Sequence, residues 1–410
     1  MSELFNLQLS EKMEPVLEAV KAFIANEINP VEQEFHDSPK QDNIWMLSDR
    51  QSEIIDDLKS KARAQRLWNF FLPDWNGEGV SNLDYAYLAQ EMGKSHLAPE
   101  VFNCNAPDTG NMEVLAKYGT PEQQQQWLAP LLAGDIRSAY AMTEPDVASS
   151  DAKNIATTAV LENGEWVING EKYYISGAGD SRCAIMIVMV RTDPNPDAPM
   201  HSRQSQILVP MDNPGVEIVG PMNVFGDPDA PHGHMHLRFN NCRVPESNML
   251  LGAGRGFEIS QGRLGPGRIH HCMRALGQAE VALEMMIKRG LSRQAFGKPL
   301  IKLGGNFDLV AESRIELDSC RLMVLQAAKA MDVLGNKEAR VYISAIKALV
   351  PKVTGEIIDR AIQMHGGAGV SQWTPLASMF THNRTLRLAD GPDEVHRMVV
   401  ARAEILKYGQ

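Results

Sequence analysis

One acidic side chain near the C-terminal end of the sequence stands where it could do chemistry. Asp390 lies between two predicted helices, directly before Gly391-Pro392. A carboxylate at such a break can face a ligand. For an isolated Asp before Gly-Pro, a simple helix N-cap is the favoured interpretation, because Asp is a favoured capping residue and proline a favoured first helical residue. The residues alone leave both interpretations open.

Three histidines form a second candidate site. His232, His234 and His236 alternate along the sequence, which would place their imidazoles on one face of a strand. Such a group can bind a transition metal, but a fourth ligand and supporting acids are needed, and none is evident nearby. We therefore expect a polar strand face that packs against helices or lines a pocket, and no metal site.

The nearest approach to a dinucleotide-binding fingerprint is the run Gly252–Gly256. Its spacing differs from G-x-G-x-x-G, so a turn is the favoured interpretation. A dinucleotide, if one is bound, is not expected to be held as in a Rossmann fold.

Composition restricts the class of protein. The 410 residues, 44% apolar and 22% charged, are typical of a multidomain globular protein, and the net charge of -11 argues against a protein that coats nucleic acid. The five cysteines show no CxxC spacing, which is typical of free thiols in a reducing compartment. We find no signal-peptide pattern and no apolar run of membrane-spanning length, so the expectation is a cytoplasmic protein without integral membrane association.

Periodicity divides the chain into three blocks. Residues 1–135 read as an all-helical domain, in which Asn29-Pro30 should end the first helix. A capping box is expected at Thr120–Gln123, with Gly134 ending the helix that it starts. Residues 136–246 read as a small antiparallel β domain, and residues 247–410 as a C-terminal α-helical bundle.

Two Asn-Gly pairs stand out in the β block. Asn163-Gly164 and Asn169-Gly170 are strong hairpin signals, and the apolar runs at 184–190 and 205–211 are buried strand candidates. In the last block, helical periodicity predicts long helices at 268–290, 307–334 and 337–365 and a C-terminal helix from about residue 394.

Five ordered motifs carry a family resemblance. They are Tyr140-Ala-Met-Thr-Glu-Pro145, Lys172-Tyr-Tyr-Ile-Ser-Gly177, Ser292-Arg-Gln-Ala-Phe-Gly-Lys298, Gln363-Met-His-Gly-Gly367 and the closing Val399-Val-Ala-Arg402. Together they resemble the acyl-CoA dehydrogenase flavoprotein family over essentially the whole chain. The runs GRIHHCMR and ADGPDEVH look most like the subgroup that contains acyl-CoA dehydrogenase family members 10 and 11. The resemblance implies FAD as cofactor.

The resemblance also implies a role for individual residues of the β block. Tyr140, Met142 and Thr143 would line the flavin ring, since the family's Y-x-x-T-E-P strand lies there. Tyr174 falls where the family has an aromatic residue against the flavin, and Ser176 where it has a threonine. The family's G-x-G-S run is here Asp146-Val-Ala-Ser149, so Ser149 keeps the hydroxyl for cofactor and substrate, but the loop lacks the two glycines.

Further cofactor contacts are implied in the helical bundle. Arg293 would bind the FAD pyrophosphate, which a planar cationic fork suits. The paired glycines Gly366-Gly367 would let backbone amides approach the FAD of a neighbouring subunit. The other implied cofactor residues are Phe296, Gln363, Pro392 and Glu394.

By the same resemblance Asp390 is the catalytic base. Some family members carry a glutamate directly before the arginine that corresponds to Arg268, but Gly267 stands there in this chain. Asp390 would remove the α proton of an acyl-CoA while flavin N5 takes the β hydride and the backbone amide of Asp390 polarises the thioester. Arg268, Gly391 and Ser149 are the implied substrate contacts.

Partners follow from the same family. The substrate would be an acyl-CoA thioester, the electron acceptor electron-transferring flavoprotein, and the assembly a homodimer or homotetramer. One alternative is a flavoenzyme of nitroalkane oxidase type, which also resembles this chain in having Asp as base and which uses oxygen. A DNA-associated flavoprotein of the same fold is disfavoured by the acidic composition.

Overall fold

The computed structural model describes residues 3–38, 41–72, 79–195 and 197–409, without the side chains of residues 264–266. The chain divides into two compact units, each with its own contacts. The first comprises Met1–Glu32, Ala64–Val101 and Gly265–Gln410, and the second Gln33–Arg63 and Phe102–Leu264.

The N-terminal third is helical, as its periodicity predicts. Its α-helices are α1 (Glu14–Phe23), α2 (Asn29–Asp37), α3 (Asp49–Ala64), α4 (Asn82–Met92), α5 (Ala98–Val101), α6 (Asp108–Tyr118), α7 (Pro121–Gln123) and α8 (Ala129–Ala133). The capping box is present, because Thr120 accepts from the backbone of Gln123 and the Gln123 side chain accepts in return. Gly134 ends α8 in the left-handed conformation, with φ of 76°.

The predicted helix end at Asn29-Pro30 is wrong. A π-turn at Ile24–Ile28 joins α1 directly to α2, and the backbone N–H of Asn29 donates to Ile24 at its end. Pro30 has no N–H to donate to an α-helical ladder, and the wider π-turn lets the helix continue past it.

A single sheet forms the centre of the second unit. Its strands are β1 (Arg137–Ala141), β2 (Thr158–Glu162), β3 (Glu165–Ser176), β4 (Cys183–Arg191), β5 (Gln204–Pro210), β6 (Val216–Pro221) and β7 (His234–Pro245). The order is β1-β4-β2-β3-β7-β6, with β5 paired to β4. Most pairs are antiparallel, as expected, whereas β4 runs parallel to β1 and β2. Alternate apolar side chains of these strands form one buried cluster.

Only one of the two Asn-Gly pairs makes a hairpin turn. Asn163 and Gly164 have φ values of 52° and 82° and connect β2 to β3, as predicted. The turn predicted at Asn169-Gly170 is absent from the described chain, because β3 runs through it with a register shift against β7. Gly170, with φ of 148°, lies so close to Thr157 that a Cβ would be 2.6 Å from its hydroxyl oxygen, so the glycine serves a bulge.

The C-terminal block is a helical bundle, which belongs to the first unit from Gly265 onward. Its long helices are α9 (Gly256–Ser292) and α10 (Asn306–His365), followed by α11 (Leu376–Leu386) and α12 (Asp393–Ile405). A two-stranded hairpin, β8 (Gln294–Ala295) and β9 (Lys298–Pro299), lies between α9 and α10. Gly335 has non-helical angles inside α10, so the two helices predicted at 307–334 and 337–365 are confirmed.

Helix α9 begins well before the predicted residue 268. The glycine- and proline-rich sequence at 262–267 suggests a break, yet the helix runs through it from Gly256. Further along α9, a Cβ on Gly277 would lie 2.1 Å from the carbonyl oxygen of Gln90. The backbones of α4 and α9 therefore touch, which fixes α9 against the bundle at the level of its middle turns. Among the described residues, no helix combines the length and the apolarity needed to cross a membrane.

Candidate active site

Asp390 lies in a strained turn between α11 and α12. Its φ is 54° and that of Gly391 is 98°, so two successive residues are left-handed. Asp tolerates this conformation better than most residues, since its short polar side chain relieves the clash locally. Such strain persists only where the surroundings fix it, and it is often found at functional sites.

The carbonyl group of Asp390 is fixed by two side chains. Arg268 Nε on α9 donates to it over 2.9 Å, and His396 Nε2 on α12 lies 3.2 Å from it. Because a carbonyl only accepts, His396 carries its proton on Nε2 and is neutral, and burial lowers its pKa to about 4. Both contacts orient the peptide group of Asp390 without touching its carboxylate.

A buried lysine holds the turn from α10. Lys347 Nζ donates to the carbonyl oxygens of Leu386, at the end of α11, and of Gly391. Burial lowers the pKa of Lys347, and the nearby carboxylates of Asp390 and Asp393 act in the opposite direction. The turn is therefore anchored on both sides of Asp390.

The carboxylate of Asp390 faces α9. His271 Nε2 lies 3.3 Å from its Oδ2. A Cβ built on Gly267 would lie 3.6 Å from the same oxygen, and no other atom of the described residues outside the adjoining helix backbone comes within 4 Å. Gly267 and His271 are four residues apart, so they share one helix face. This face combines open space with one imidazole.

His271, like Lys347 and His396, is a site residue that the sequence did not single out, because histidines on a buried helix face commonly just pack. His270 does so, edge-on to Tyr85 with ring centroids 4.5 Å apart. The signal that could have found His271 is its spacing of one helical turn from Gly267, the other position at which the family carries a base.

The start of α12 is tied to the turn. Arg387 Nε lies 2.8 Å from the Asp393 carboxylate, and the carbonyl of Pro392 accepts from the backbone of Val395 over 3.0 Å. Glu394 lies in the first helical turn, next to Asp393. Pro392 and Glu394 therefore lie at the start of α12, next to the turn that carries Asp390.

In the second unit, Tyr140 on β1 is a hydrogen-bonding centre. Its hydroxyl lies 3.1 Å from Ser260 Oγ and accepts from Gln206 Nε2 over 3.0 Å, and the guanidinium of Arg263 lies 3.9 Å from the ring centroid. These contacts fix the Tyr140 ring within the second unit and give it a structural role. Contact with the flavin, which the family resemblance implies, would be a second role of the same side chain.

The residues after β1 are held by a buried ion pair. Lys172 Nζ lies 2.7 Å from Glu144 and donates to the carbonyl of Met142 over 2.9 Å. Tyr173 N–H donates to the carbonyl of Thr143 over 3.0 Å. The predicted cofactor residues Met142 and Thr143 are therefore fixed at one end of β3.

Ser149, Tyr174 and Ser176 belong to the same unit. Ser149 Oγ accepts from the backbone N–H of Glu144 over 2.8 Å, which closes the loop that lacks the family's glycines. Ser176 Oγ lies 2.8 Å from His234 Nδ1. Tyr174 has a φ of 54°, which is unusual for a bulky residue, and its side chain is 46% exposed.

Two of the three histidines lie on the expected polar strand face, whereas His232 lies in a turn before β7 begins at His234, so the prediction of three on one strand is wrong. His234 contacts Ser176, and His236 Nε2 lies 2.7 Å from Glu171 on the neighbouring strand. Within the described ranges, no three His, Cys, Asp or Glu side chains are arranged to hold a metal ion.

The remaining predicted cofactor residues are exposed on the first unit. The Phe296 side chain, in the β8–β9 hairpin, is 95% exposed, and Arg293 has no ion-pair partner in the part of the chain that the structure describes. Gly366 has a φ of 63°, and neither Gly366 nor Gly367 would bring a Cβ within 4 Å of another residue. Gln363, one turn earlier, accepts from Gly366 N–H. No contact in the described structure joins these residues to Asp390.

Comparison with known families decides the assignment. Models for the N-terminal, middle and C-terminal domains of acyl-CoA dehydrogenases match residues 10–135, 139–242 and 254–405. The chain belongs to the acyl-CoA dehydrogenase family. This match confirms the predicted family and fold. Members of the family are flavin-dependent oxidoreductases.

The relatives agree with the predicted subgroup. Acyl-CoA dehydrogenase family members 10 and 11 of Mus musculus are each 50% identical over 97% of this chain, which spans 37% and 51% of their lengths. The protein named probable acyl-CoA dehydrogenase FadE2 from Mycobacterium tuberculosis is 54% identical, and the match covers 86% of both chains. The chain thus spans about half or less of the length of the first two relatives.

Solved structures share the fold. One from Mycobacterium abscessus that carries the acyl-CoA dehydrogenase name is 50% identical, with a TM-score of 0.93 over 98% of this chain and all of its own. The FAD complex of PigA, 21% identical with a TM-score of 0.81, covers 98% of this chain and 99% of its own and shares the fold.

Proposed function

We propose that this chain is an FAD-dependent acyl-CoA dehydrogenase that converts an acyl-CoA thioester into the trans-2-enoyl-CoA, with Asp390 as the base that removes the α proton. The observation that carries the proposal is the Asp390 turn. Two left-handed residues, a carbonyl held by Arg268 and His396, and the buried ammonium of Lys347 present one carboxylate to open space beside Gly267.

The residues fit FAD by their chemistry. The exposed ring of Tyr174 offers a stacking surface, and the exposed guanidinium of Arg293 suits a pyrophosphate. At Gly366-Gly367 the backbone is open to close approach by a phosphate. We propose these as cofactor contacts, together with Tyr140, Met142, Thr143, Ser149 and Ser176 in the β unit and Phe296, Gln363, Pro392 and Glu394 in the bundle.

Bound FAD would supply a hydride acceptor at flavin N5. The chain's own contribution is proton transfer and orientation. The α C–H bond breaks and a new O–H bond forms on Asp390, a general-base step that contributes about 10² to 10⁴ in rate. Arg268 and His396 hold the carbonyl group of Asp390, in the peptide bond to Gly391, and so steady the turn in which the Asp390 backbone amide would polarise a thioester oxygen. Arg268, Gly391 and Ser149 are the proposed substrate contacts.

We propose a homo-oligomer, because several large apolar side chains of the helical bundle are exposed. Phe307, Ile315 and Leu322 recur along α10 at intervals of eight and seven residues and are all exposed, which forms one apolar helix face. Trp373, just after the Gly366-Gly367 segment, is 81% exposed. Such surfaces are typical of subunit interfaces. A role in fatty-acid β-oxidation, a cytoplasmic location, transfer of electrons to electron-transferring flavoprotein, and the domain limits 1–135, 136–246 and 247–410 remain part of this proposal.

The test is anaerobic titration of the yellow protein with a panel of acyl-CoA thioesters, with flavin absorbance as the readout. We expect at least one thioester to bleach the flavin and yield the enoyl-CoA. Nitroethane in air is the parallel arm, since an Asp base also suits nitroalkane oxidation. Oxygen consumption with nitroethane, combined with no response to any acyl-CoA, would replace the proposal by that activity, and protein that takes up no FAD would overturn both.

A further inference from the structure

The proton on His271 can be located from its two neighbours. Arg274 Nη2 lies 3.3 Å from His271 Nδ1, and His271 Nε2 lies 3.3 Å from Asp390 Oδ2. A guanidinium has no acceptor, so Nδ1 must accept and cannot carry a proton. The proton of the neutral ring is therefore on Nε2, where it points at the carboxylate.

From this geometry we infer that His271 is a positioning residue for Asp390: a neutral imidazole that donates from Nε2 to the carboxylate and holds it in the orientation in which it removes the α proton. The inference rests on the proposed function, since it presumes that Asp390 is the base. His271 itself gives up no proton in this role. The α proton goes to Asp390, and the Nε2–H of His271 stays where it is.

Burial favours the neutral form of the His271 ring. Burial is the main factor that lowers the pKa of His271, and Arg274 on the same helix and Lys347 on α10 lower it further, while Asp390 raises it. His270 is the adjacent titratable group on α9. A protonated His271 would also lose its hydrogen bond from Arg274, because both ring nitrogens would then be donors.

A neutral donor suits a base better than a cation does. A cation in contact with a carboxylate strongly favours the ionised form and weakens it as a proton acceptor, whereas a neutral hydrogen bond does so less. In this turn, Arg268, Lys347 and His396 contact backbone carbonyl oxygens. The contact of His271 is with the carboxylate itself. The contact with His271 therefore orients the Asp390 side chain and lowers the basicity of its carboxylate less than a contact with a cation would.

The experiment separates proton removal from hydride transfer. An acyl-CoA analogue with sulfur in place of the β carbon has an acidic α proton but no β hydride, so it can be deprotonated without turnover. Stacking of the resulting enolate on the oxidised flavin gives a long-wavelength absorption band, whose pH midpoint we would titrate in the FAD-loaded protein. Stopped-flow bleaching by a good acyl-CoA supplies the rate.

Three substitutions test the donor. His271→Leu removes it, His271→Asn places its amide near the Nδ1 position and out of reach of Asp390, and His271→Gln places an amide N–H near Nε2. We expect His271→Leu and His271→Asn to slow bleaching by about tenfold or more and to move the band midpoint to higher pH by about one unit, the size of a hydrogen bond to a charged group. His271→Gln should recover most of both.

The matched control is His270→Leu, which removes a buried imidazole on the same helix that does not contact Asp390 in the structure. We expect it to lower the melting temperature but to leave the band midpoint in place. A wild-type midpoint and rate in His271→Asn, or a His271→Gln variant as impaired as His271→Asn, would overturn the inference.

Failure of the underlying function has a different signature. In that case the wild-type protein forms no band and bleaches with no acyl-CoA, or Asp390→Asn forms the band as well as wild type. A wild-type protein that responds and an Asp390→Asn variant that does not, combined with unchanged behaviour of the His271 variants, would remove only the role of His271.

Discussion

The ammonium nitrogen of Lys347 lies 3.4 Å from the carbonyl oxygen of Gly391, the residue directly after the proposed base. The same group donates to Leu386, at the end of α11. A completely buried lysine thus ties the end of one helix to the turn that leads into the next. Desolvation of a charge is costly, so the contact is better explained by the need to fix the turn than by stability alone.

Replacement of this lysine should affect the turn more than the fold. In Lys347→Met the carbonyls of Leu386 and Gly391 lose a charged donor, worth about 1.5 to 3 kcal/mol per hydrogen bond, and relief of the buried charge offsets part of that. We expect a lower melting temperature and a fall in kcat that exceeds the change in KM. Lys352→Met is the control, because Lys352 is half-exposed on the same helix and pairs only at 3.8 Å with Glu356. Equal kcat values in wild type and Lys347→Met would contradict this role.

Asp390→Asn is the direct test of the base. Asn tolerates the φ of 54° as well as Asp does, so the turn should be kept. We expect retained FAD and retained acyl-CoA binding, with flavin bleaching slowed by about 10² to 10⁴. Stopped-flow absorbance measures the rate, and near wild-type bleaching would show that the base lies elsewhere.

Gly267→Glu in the Asp390→Asn background tests the second base position. Among the described residues outside the adjoining helix backbone, a Cβ there meets the Asp390 carboxylate alone, at 3.6 Å, so a side chain can start from this position. We expect partial recovery of bleaching. In the wild-type background the same substitution should be harmful, since it places two carboxylates side by side. A double variant no faster than Asp390→Asn would show that an acid at 267 cannot reach the substrate.

Acid should weaken the fold through His396. Its pKa is lowered to about 4 by burial, against 6.5 for the exposed group. Between these values the unfolded chain binds a proton and the folded chain does not, so the free energy of unfolding falls as the pH falls. This group contributes up to about 3 kcal/mol of that loss. Urea unfolding of wild type and His396→Gln at several pH values measures the difference, and parallel curves between pH 6.5 and 4 would contradict the assignment.

Assembly and cofactor content should change together. Ile315→Glu combined with Leu322→Glu puts two charges on the apolar face of α10. We expect light scattering to show monomers and the absorbance ratio to show lost FAD, because Gly366-Gly367 is proposed to reach a partner's cofactor. Val160→Glu, at an exposed apolar site on β2, is the control. An active monomer with full FAD would refute the coupling.

Local signals were predicted well from the sequence. Thr120–Gln123 and Asn163-Gly164 depend on residues within one turn of each other, so their chemistry decides their structure. Asn169-Gly170 carries the same signal, but its glycine is needed because Thr157 lies against it from the neighbouring chain segment, a contact that no local pattern shows. The continuation of the helix past Pro30 likewise depends on a π-turn at Ile24–Ile28, which the 3.6-residue spacing of apolar residues does not predict.

The site was predicted in part for the same reason. Asp390 was found because a family motif surrounds it. Its partners His271, Lys347 and His396 come from three different helices, and only the fold brings the first two to the turn. Buried histidines and lysines have no periodic signature that separates packing from contact with a base.

The dipeptide Asp390-Gly391 is also prone to slow chemical degradation. The amide nitrogen of a glycine attacks the side chain of a preceding aspartate more readily than that of any bulkier residue, and the succinimide that forms opens mainly to isoaspartate. Arg268 and His396 hold the Asp390 carbonyl and so resist the rotation that this cyclisation requires. Asparagine cyclises faster still and returns some aspartate, so a stored Asp390→Asn sample would slowly regenerate the residue it was made to remove, and mass spectrometry should accompany every rate measured on it.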